Sequence, residues 1–81
     1  MKNDARERPL KLQLNNSGAW KDVVHFDGAD ETEAERVLEA ATTLGDLDTG
    51  NVTFRVVTED AYPEVVTSWS KHFGWRTAVP R

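Results

Sequence analysis

The chain contains no cysteine. Disulfide bonds, thiolate metal ligands and cysteine nucleophiles are therefore excluded. Because a secreted domain of this size usually needs disulfide staples, the composition predicts a cytoplasmic protein. Long apolar runs are also missing. None exceeds two residues, so no segment is apolar enough to span a membrane, and the charged residues 1–9 lack the apolar stretch of a signal peptide.

The length of 81 residues limits the chain to one domain of modest stability. We see no internal repeat and no low-complexity segment. Residues 1–8 are polar, which predicts a flexible N-terminal segment. Residues 9–79 are predicted to form a single α/β domain.

Charge of one sign predominates, and it is unevenly distributed. The formal net charge is −4. Residues 27–64 carry eleven acids and two bases, whereas residues 1–26 and 65–81 are mildly basic, at net +2 and +3. This asymmetry concerns association and solubility more than fold.

Alternating apolar residues predict a β-hairpin over residues 9–27. Leu10, Leu12 and Leu14 recur with a period of two, which is typical of a half-buried strand. The sequence Asn15 to Gly18 supplies turn residues. On the second strand, we expect Trp20, Val24 and Phe26 to face the core, and Lys21, Val23 and His25 to face outward. Asp22 interrupts this alternation, so the strand either begins at Val23 or carries a bulge there.

A first helix follows the hairpin. Asp30 is the predicted N-cap, with Glu33 as its capping-box partner, and Thr32 with Glu35 is the alternative. Gly45 is the predicted stop signal. The apolar residues recur at three- and four-residue spacing; they are Ala34, Val37, Leu38, Ala41 and Leu44.

A third strand is predicted over residues 52–57, where β-formers alternate. Asp60 and Pro63 then indicate the start of a second helix, which ends at Gly74. Its predicted inner side consists of Val65, Val66, Trp69 and Phe73. Residues 76–79 have the composition of a short final edge strand.

The predicted fold is α+β: a two-layer sandwich in ββαβα(β) order. A three- or four-stranded mixed sheet carries both helices on one face. If the second and third strands are parallel neighbours, their crossover should be right-handed. The predicted core comprises Leu10, Leu12, Leu14, Val24, Phe26, Val37, Leu38, Ala41, Leu44, Phe54, Val56, Val66, Trp69 and Phe73.

Residues with catalytic or metal-binding chemistry do not form a recognisable motif. His25 and Asp27 share one side of a strand, but a third metal ligand would have to come from the distant His72. Neither Ser68 nor Ser70 lies in a nucleophile elbow, and Ser17 lies in a turn. No phosphate-binding glycine loop is present. We therefore expect no enzyme activity, cofactor or metal.

The leading functional hypothesis is a non-catalytic accessory or adaptor domain that acts through protein contacts, with another protein or as a homodimer. Large aromatic residues at the ends of elements serve as interface anchors in many complexes. The acidic exterior of the first helix is the other candidate surface. The predicted interface residues are Trp20, Trp75, Glu31, Glu35 and Glu39.

Two further hypotheses concern nucleic acid. The open sheet face is predicted to be mildly basic, and Lys11, Lys21 and Arg55 there are candidate contacts for a weak nucleic-acid-associated role. The overall acidity disfavours that role, and no exposed aromatic residue is predicted on this face to stack bases. Alternatively, the acidic helix imitates DNA and inhibits a DNA-binding enzyme.

Overall fold

A computed structural model describes residues 5–77 of the chain. Five strands form one sheet in the order β2-β1-β3-β4-β5, and every neighbouring pair is antiparallel. One helix packs on this sheet. The elements are β1 (Pro9–Asn15), β2 (Trp20–Asp27), α1 (Glu31–Leu47), β3 (Thr53–Thr58), β4 (Val65–Ser70) and β5 (Gly74–Thr77).

The predicted architecture is therefore wrong in three respects. The described chain has one helix instead of two, five strands instead of three or four, and an antiparallel sheet instead of a mixed one. The connection through α1 does join two strands of the same direction. β2 and β3 are nevertheless not neighbours, because β1 lies between them and pairs with both.

The predicted hairpin of β1 and β2 is confirmed. The Asn15 carboxamide oxygen accepts the N–H groups of Ser17 and Gly18, and Gly18 has a φ of 95°. The pairing register shifts between Leu12 and Gln13, because β2 contains one extra residue at Val23. This bulge reverses the facing of the residues that precede it.

The start of α1 agrees with the sequence prediction. The Asp30 side chain caps the helix by accepting the N–H of Glu33 at 3.1 Å. The Glu33 carboxylate accepts the backbone N–H of Asp27, not that of the cap residue. Gly45 does not end the helix, which continues to Leu47. Instead it lies against Trp69, whose ring a Cβ atom at position 45 would overlap.

The second predicted helix is instead a pair of strands. Val65, Val66 and Thr67 are β-branched and belong to β4, with a bulge where the register shifts between Val56 and Val57. Asp60 accepts the N–H of Tyr62 in a turn and caps no helix. Gly74, with a φ of 69°, opens β5.

The predicted terminal strand over 76–79 overlaps β5 at Arg76 and Thr77, and residues 78 and 79 lie outside the described residues. Within the predicted N-terminal segment 1–8, residues 1–4 also lie outside them. Residues 6–8 are tied to the fold by hydrogen bonds.

The core lies between α1 and the sheet. Phe54 and Ala41 are fully buried, and the rings of Phe54 and Trp69 meet edge to face at 5.9 Å. Three residues predicted to be core are exposed: Val24, Leu44 and Phe73. The buried apolar cluster comprises Leu10, Leu12, Phe26, Ala41, Val52, Phe54, Val56 and Trp69. In residues 5–77, no helix has the length and apolar character needed to cross a membrane.

Candidate functional site

One edge of the sheet is a long strand without a partner. β2 pairs with β1 on one side, and within the described chain nothing pairs with its other side. Its first half carries Lys21 and Asp22 and ends at the bulge, features that protect sheet edges from unwanted pairing. From Val24 to Asp27 the register with β1 is regular. The Asp27 N–H, however, already donates to the Glu33 carboxylate, and the Asp27 carbonyl oxygen accepts the N–H of Asp30. The part of β2 that is available for strand pairing is therefore Val24 to Phe26.

An apolar groove runs beside this edge, between β2 and α1. It has a volume of 430 Å³, and Val37, Ala40 and Leu44 line its helical side at three- and four-residue spacing. Val24 lines the strand side, and its side chain is 39% exposed. Leu44 is 54% exposed. We call this feature the β2 groove; its lining residues are Leu12, Val23, Val24, His25, Phe26, Glu33, Arg36, Val37, Ala40, Ala41 and Leu44.

The N-terminal segment is held at one end of the sheet by Glu59. The Arg6 guanidinium donates to both carboxylate oxygens of Glu59, at 2.7 and 3.3 Å, and His25 Nδ1 lies 2.8 Å from the same carboxylate. The Arg6 guanidinium keeps the pKa of Glu59 below its usual value, with a smaller contribution from His25. This cluster joins residues from three distant parts of the chain.

Asp27 completes the anchoring of that segment. Its carboxylate accepts the backbone N–H groups of Ala29, Arg8 and Glu7. These hydrogen bonds favour the ionised form and hold the pKa of Asp27 below its usual value, that from Ala29 having the largest effect. Asp27 therefore has a structural role at the end of β2.

The sheet face opposite α1 carries a cleft bordered by aromatic rings. Trp20 lies on this face because the bulge at Val23 turns it away from the helix, and the Arg55 guanidinium lies 4.1 Å from its ring centroid. At the β4–β5 turn, the Arg76 guanidinium lies 4.7 Å from the ring centroid of Phe73. We call this 350 Å³ feature the open-face cleft; its lining residues are Trp20, Thr53, Phe54, Ser68, Trp69, Ser70, Phe73, Gly74 and Arg76.

The predicted protein-interface residues lie apart from the β2 groove. Trp75 is half-buried, and its indole N–H donates to the Thr42 hydroxyl on α1 at 2.9 Å. Glu39 lies beside Trp75 on that flank of the helix, and the four-residue spacing of Glu31, Glu35 and Glu39 places all three exposed carboxylates in one row. The interface prediction for these residues and Trp20 stays a prediction.

The predicted nucleic-acid contacts lie on two different faces. Arg55 and Lys11 are on the open face, where Lys11 pairs with Asp22 at 3.3 Å. The hydrogen bond from the Gln13 carboxamide is the main cause that lowers the pKa of Asp22. Lys21 lies opposite Leu14 and therefore on the side that α1 covers, contrary to the facing expected from the alternation.

The candidate catalytic and metal-binding residues are not brought together. His25 is on β2, whereas Ser68 and Ser70 are on β4, which lies three strands, or about 14 Å, across the sheet. His72 follows β4, where its ring meets Phe73 edge to face. In residues 5–77, no group of three or more His, Asp or Glu side chains is arranged to hold a metal ion.

Comparisons of this chain with protein-family models, curated proteins and solved structures found no match.

Sequence reasoning missed two residues of the open-face cleft, Phe73 and Arg76. Phe73 lies within the predicted second helix, which places it in the predicted core, and Arg76 lies in the predicted final edge strand. Asp22 was the available signal on β2, since a charged residue within an apolar row indicates the bulge that turns Trp20 to the open face.

Proposed function

We propose that this chain is a non-catalytic adaptor domain that binds an extended segment of another protein along β2. The observation that supports this most directly is an unpaired strand edge beside an apolar groove. A peptide that adds a strand to a sheet edge gains main-chain hydrogen bonds, and its alternate side chains enter neighbouring pockets. Affinity and selectivity would then come from adjacent parts of one surface.

The facing of side chains on β2 defines where that segment lies. Val24 and Phe26 line the β2 groove on the helix-covered side, and Leu44 lines it from α1. An added strand beside residues 24–26 would direct every second side chain toward this groove. We therefore expect an occupant with apolar residues at alternate positions.

Electrostatics favours another protein, and not a second copy of this chain, as the occupant of the β2 groove. Two copies joined through β2 would place both α1 helices on the same face of a continuous sheet, and α1 has a net charge of −4. Near the start of the helix, residues 27–33 include four acids and no base. An occupant with lysine or arginine at that end is electrostatically complementary.

A display library of short random peptides tests the proposal. Binders selected on the wild-type protein should combine alternating apolar residues with net positive charge. Leu44→Glu should lower the affinity of a labelled selected peptide by about tenfold or more, because it places a charge in the apolar contact. Fluorescence anisotropy measures the affinity.

Thr43→Glu is the matched control, since it adds the same charge to an exposed position of α1 outside the groove. It should not weaken binding. Circular dichroism checks that both variants fold. Peptides that bind wild type and Leu44→Glu equally well, or a selection that yields acidic peptides, would contradict the proposal. A stable homodimer in light scattering that Leu44→Glu dissociates would assign the groove to a second copy instead.

A further inference from the structure

We propose that the open-face cleft is a second binding site, which takes single-stranded nucleic acid between Trp20 and Phe73. It lies on the sheet face opposite α1, and none of its lining residues lines the β2 groove. Its volume of 350 Å³ falls within the range of about 300–1,000 Å³ that is usual for ligand sites. The residues that line it provide aromatic rings, hydroxyls and the Arg76 guanidinium, and the Arg55 guanidinium lies against the Trp20 ring.

The aromatic rings provide stacking surfaces. Phe73 is 64% exposed, and Trp20 is half-buried. The contacts with Arg76 and Arg55 hold the two rings by cation–π attraction. A base that stacks on an aromatic ring needs no particular sequence, because every base has a π face.

The two arginines beside the cleft provide positive charge that can pair with phosphate groups. Arg55 donates through Nε to the Gln13 carboxamide oxygen at 2.7 Å. Within residues 5–77, neither Arg55 nor Arg76 forms a salt bridge with a carboxylate. Arg55 on β3 and Arg76 on β5 both align with Ser68 on β4, so their Cα atoms are about 10 Å apart. Two guanidinium groups at that separation can engage two phosphates of one strand.

The lining of the cleft favours nucleic acid over an acidic peptide. Thr53, Ser68 and Ser70 contribute hydroxyls that can donate to or accept from base edges, and no carboxylate lines the cleft among the described residues. An acidic peptide would satisfy the guanidinium groups but leave the rings without a stacking partner. Because the whole chain has a net charge of −4, we expect weak binding without sequence preference, with Kd on the order of 1–100 μM.

Fluorescence anisotropy with labelled oligothymidylate at low salt tests the proposal. Phe73→Ala should weaken binding by about five- to a hundredfold, because it removes one stacking surface. Arg76→Gln should weaken binding and reduce the dependence of log Kd on log salt concentration by about one phosphate equivalent. Both residues are exposed, so the fold should tolerate these changes.

Matched control variants show whether a loss of binding comes from the cleft or from the removal of any exposed ring or positive charge. Tyr62→Ala removes an aromatic ring that is 86% exposed and lies outside the cleft, and Arg36→Gln removes an arginine from α1; neither should change Kd appreciably. An abasic oligonucleotide of equal length should bind more weakly than oligothymidylate. No binding at low salt, equal binding of the abasic strand, or equal competition by polyglutamate would overturn the proposal.

Discussion

At the scale of single residues, one inserted position decides which surface Trp20 belongs to. A regular strand would place Trp20 on the same face as Val24, as the alternating pattern predicts. The extra residue at Val23 instead places Trp20 opposite Asn15 and above Arg55 on the open face. Because side chains alternate with a period of two, a single insertion exchanges the faces of the residues that precede it. The sequence indicates that a bulge is one option, but it does not identify the face.

The pairing of Glu59 with Arg6 gives a prediction for stability against pH. The pKa of Glu59 is lowered in the folded state, so its ionised form contributes stability above the pKa that Glu59 has in the unfolded chain, and this contribution is lost as the pH falls through the lower folded value. We expect Glu59→Gln to lower the free energy of unfolding by about 0.5–1 kcal/mol at neutral pH. The difference from wild type should disappear in strong acid.

Urea unfolding at neutral and acidic pH measures both effects. Glu64→Gln is the matched control, since it neutralises an exposed carboxylate near the start of β4 that lies outside this cluster. It should leave the unfolding free energy nearly unchanged. A Glu59→Gln variant that is as stable as wild type at neutral pH would show that the Arg6 pairing does not stabilise the fold.

At the scale of elements, the prediction succeeds where several local signals agree. α1 has a capping aspartate, acids in its first turn and an apolar stripe, and each of these features indicates the same helix. β4 lacks such agreement. Val65, Val66, Trp69 and Phe73 match a helical spacing, yet Val65, Val66 and Thr67 are poor helix formers. The pairing of β4 with β3 and β5, which local sequence cannot show, decides the outcome.

Gly45 tests the packing of α1 against β4. In an exposed helix, Gly→Ala would stabilise by about 1 kcal/mol through helix propensity. At position 45 the added Cβ overlaps the Trp69 ring, and overpacking costs about 1–3 kcal/mol. Because the cost exceeds or cancels the gain, we expect Gly45→Ala to lower the free energy of unfolding by up to about 2 kcal/mol in urea denaturation.

Gly50→Ala provides the comparison, because Gly50 lies in the exposed loop after α1 and a Cβ there would meet only the Asp48 carboxylate, at 3.3 Å. Its effect should stay within about 0.5 kcal/mol. If Gly45→Ala instead raises the free energy of unfolding by about 1 kcal/mol, as expected from helix propensity, α1 does not pack closely on Trp69.

At the scale of the whole molecule, the packing of α1 on one face of the sheet leaves two different surfaces exposed within residues 5–77. The groove between α1 and β2 is apolar, with acids near the start of the helix, whereas the open face carries arginines and aromatic rings. The apolar spacing and the cap residue correctly predict α1, whereas the predicted second helix is wrong, and neither surface follows from local patterns. Each depends on strand order, which places β2 at the sheet edge and brings β5 beside β4.

The most direct test of strand addition at β2 is an amide chemical-shift map of the isotope-labelled protein with a selected basic peptide. The largest changes should fall in residues 24–26 and along the helical side of the groove, from Val37 to Leu44. New cross-strand contacts between the peptide and β2 backbone should accompany them. Changes centred instead on Ser68 to Arg76, or a map with no response in β2, would contradict the proposal that a peptide adds a strand to β2.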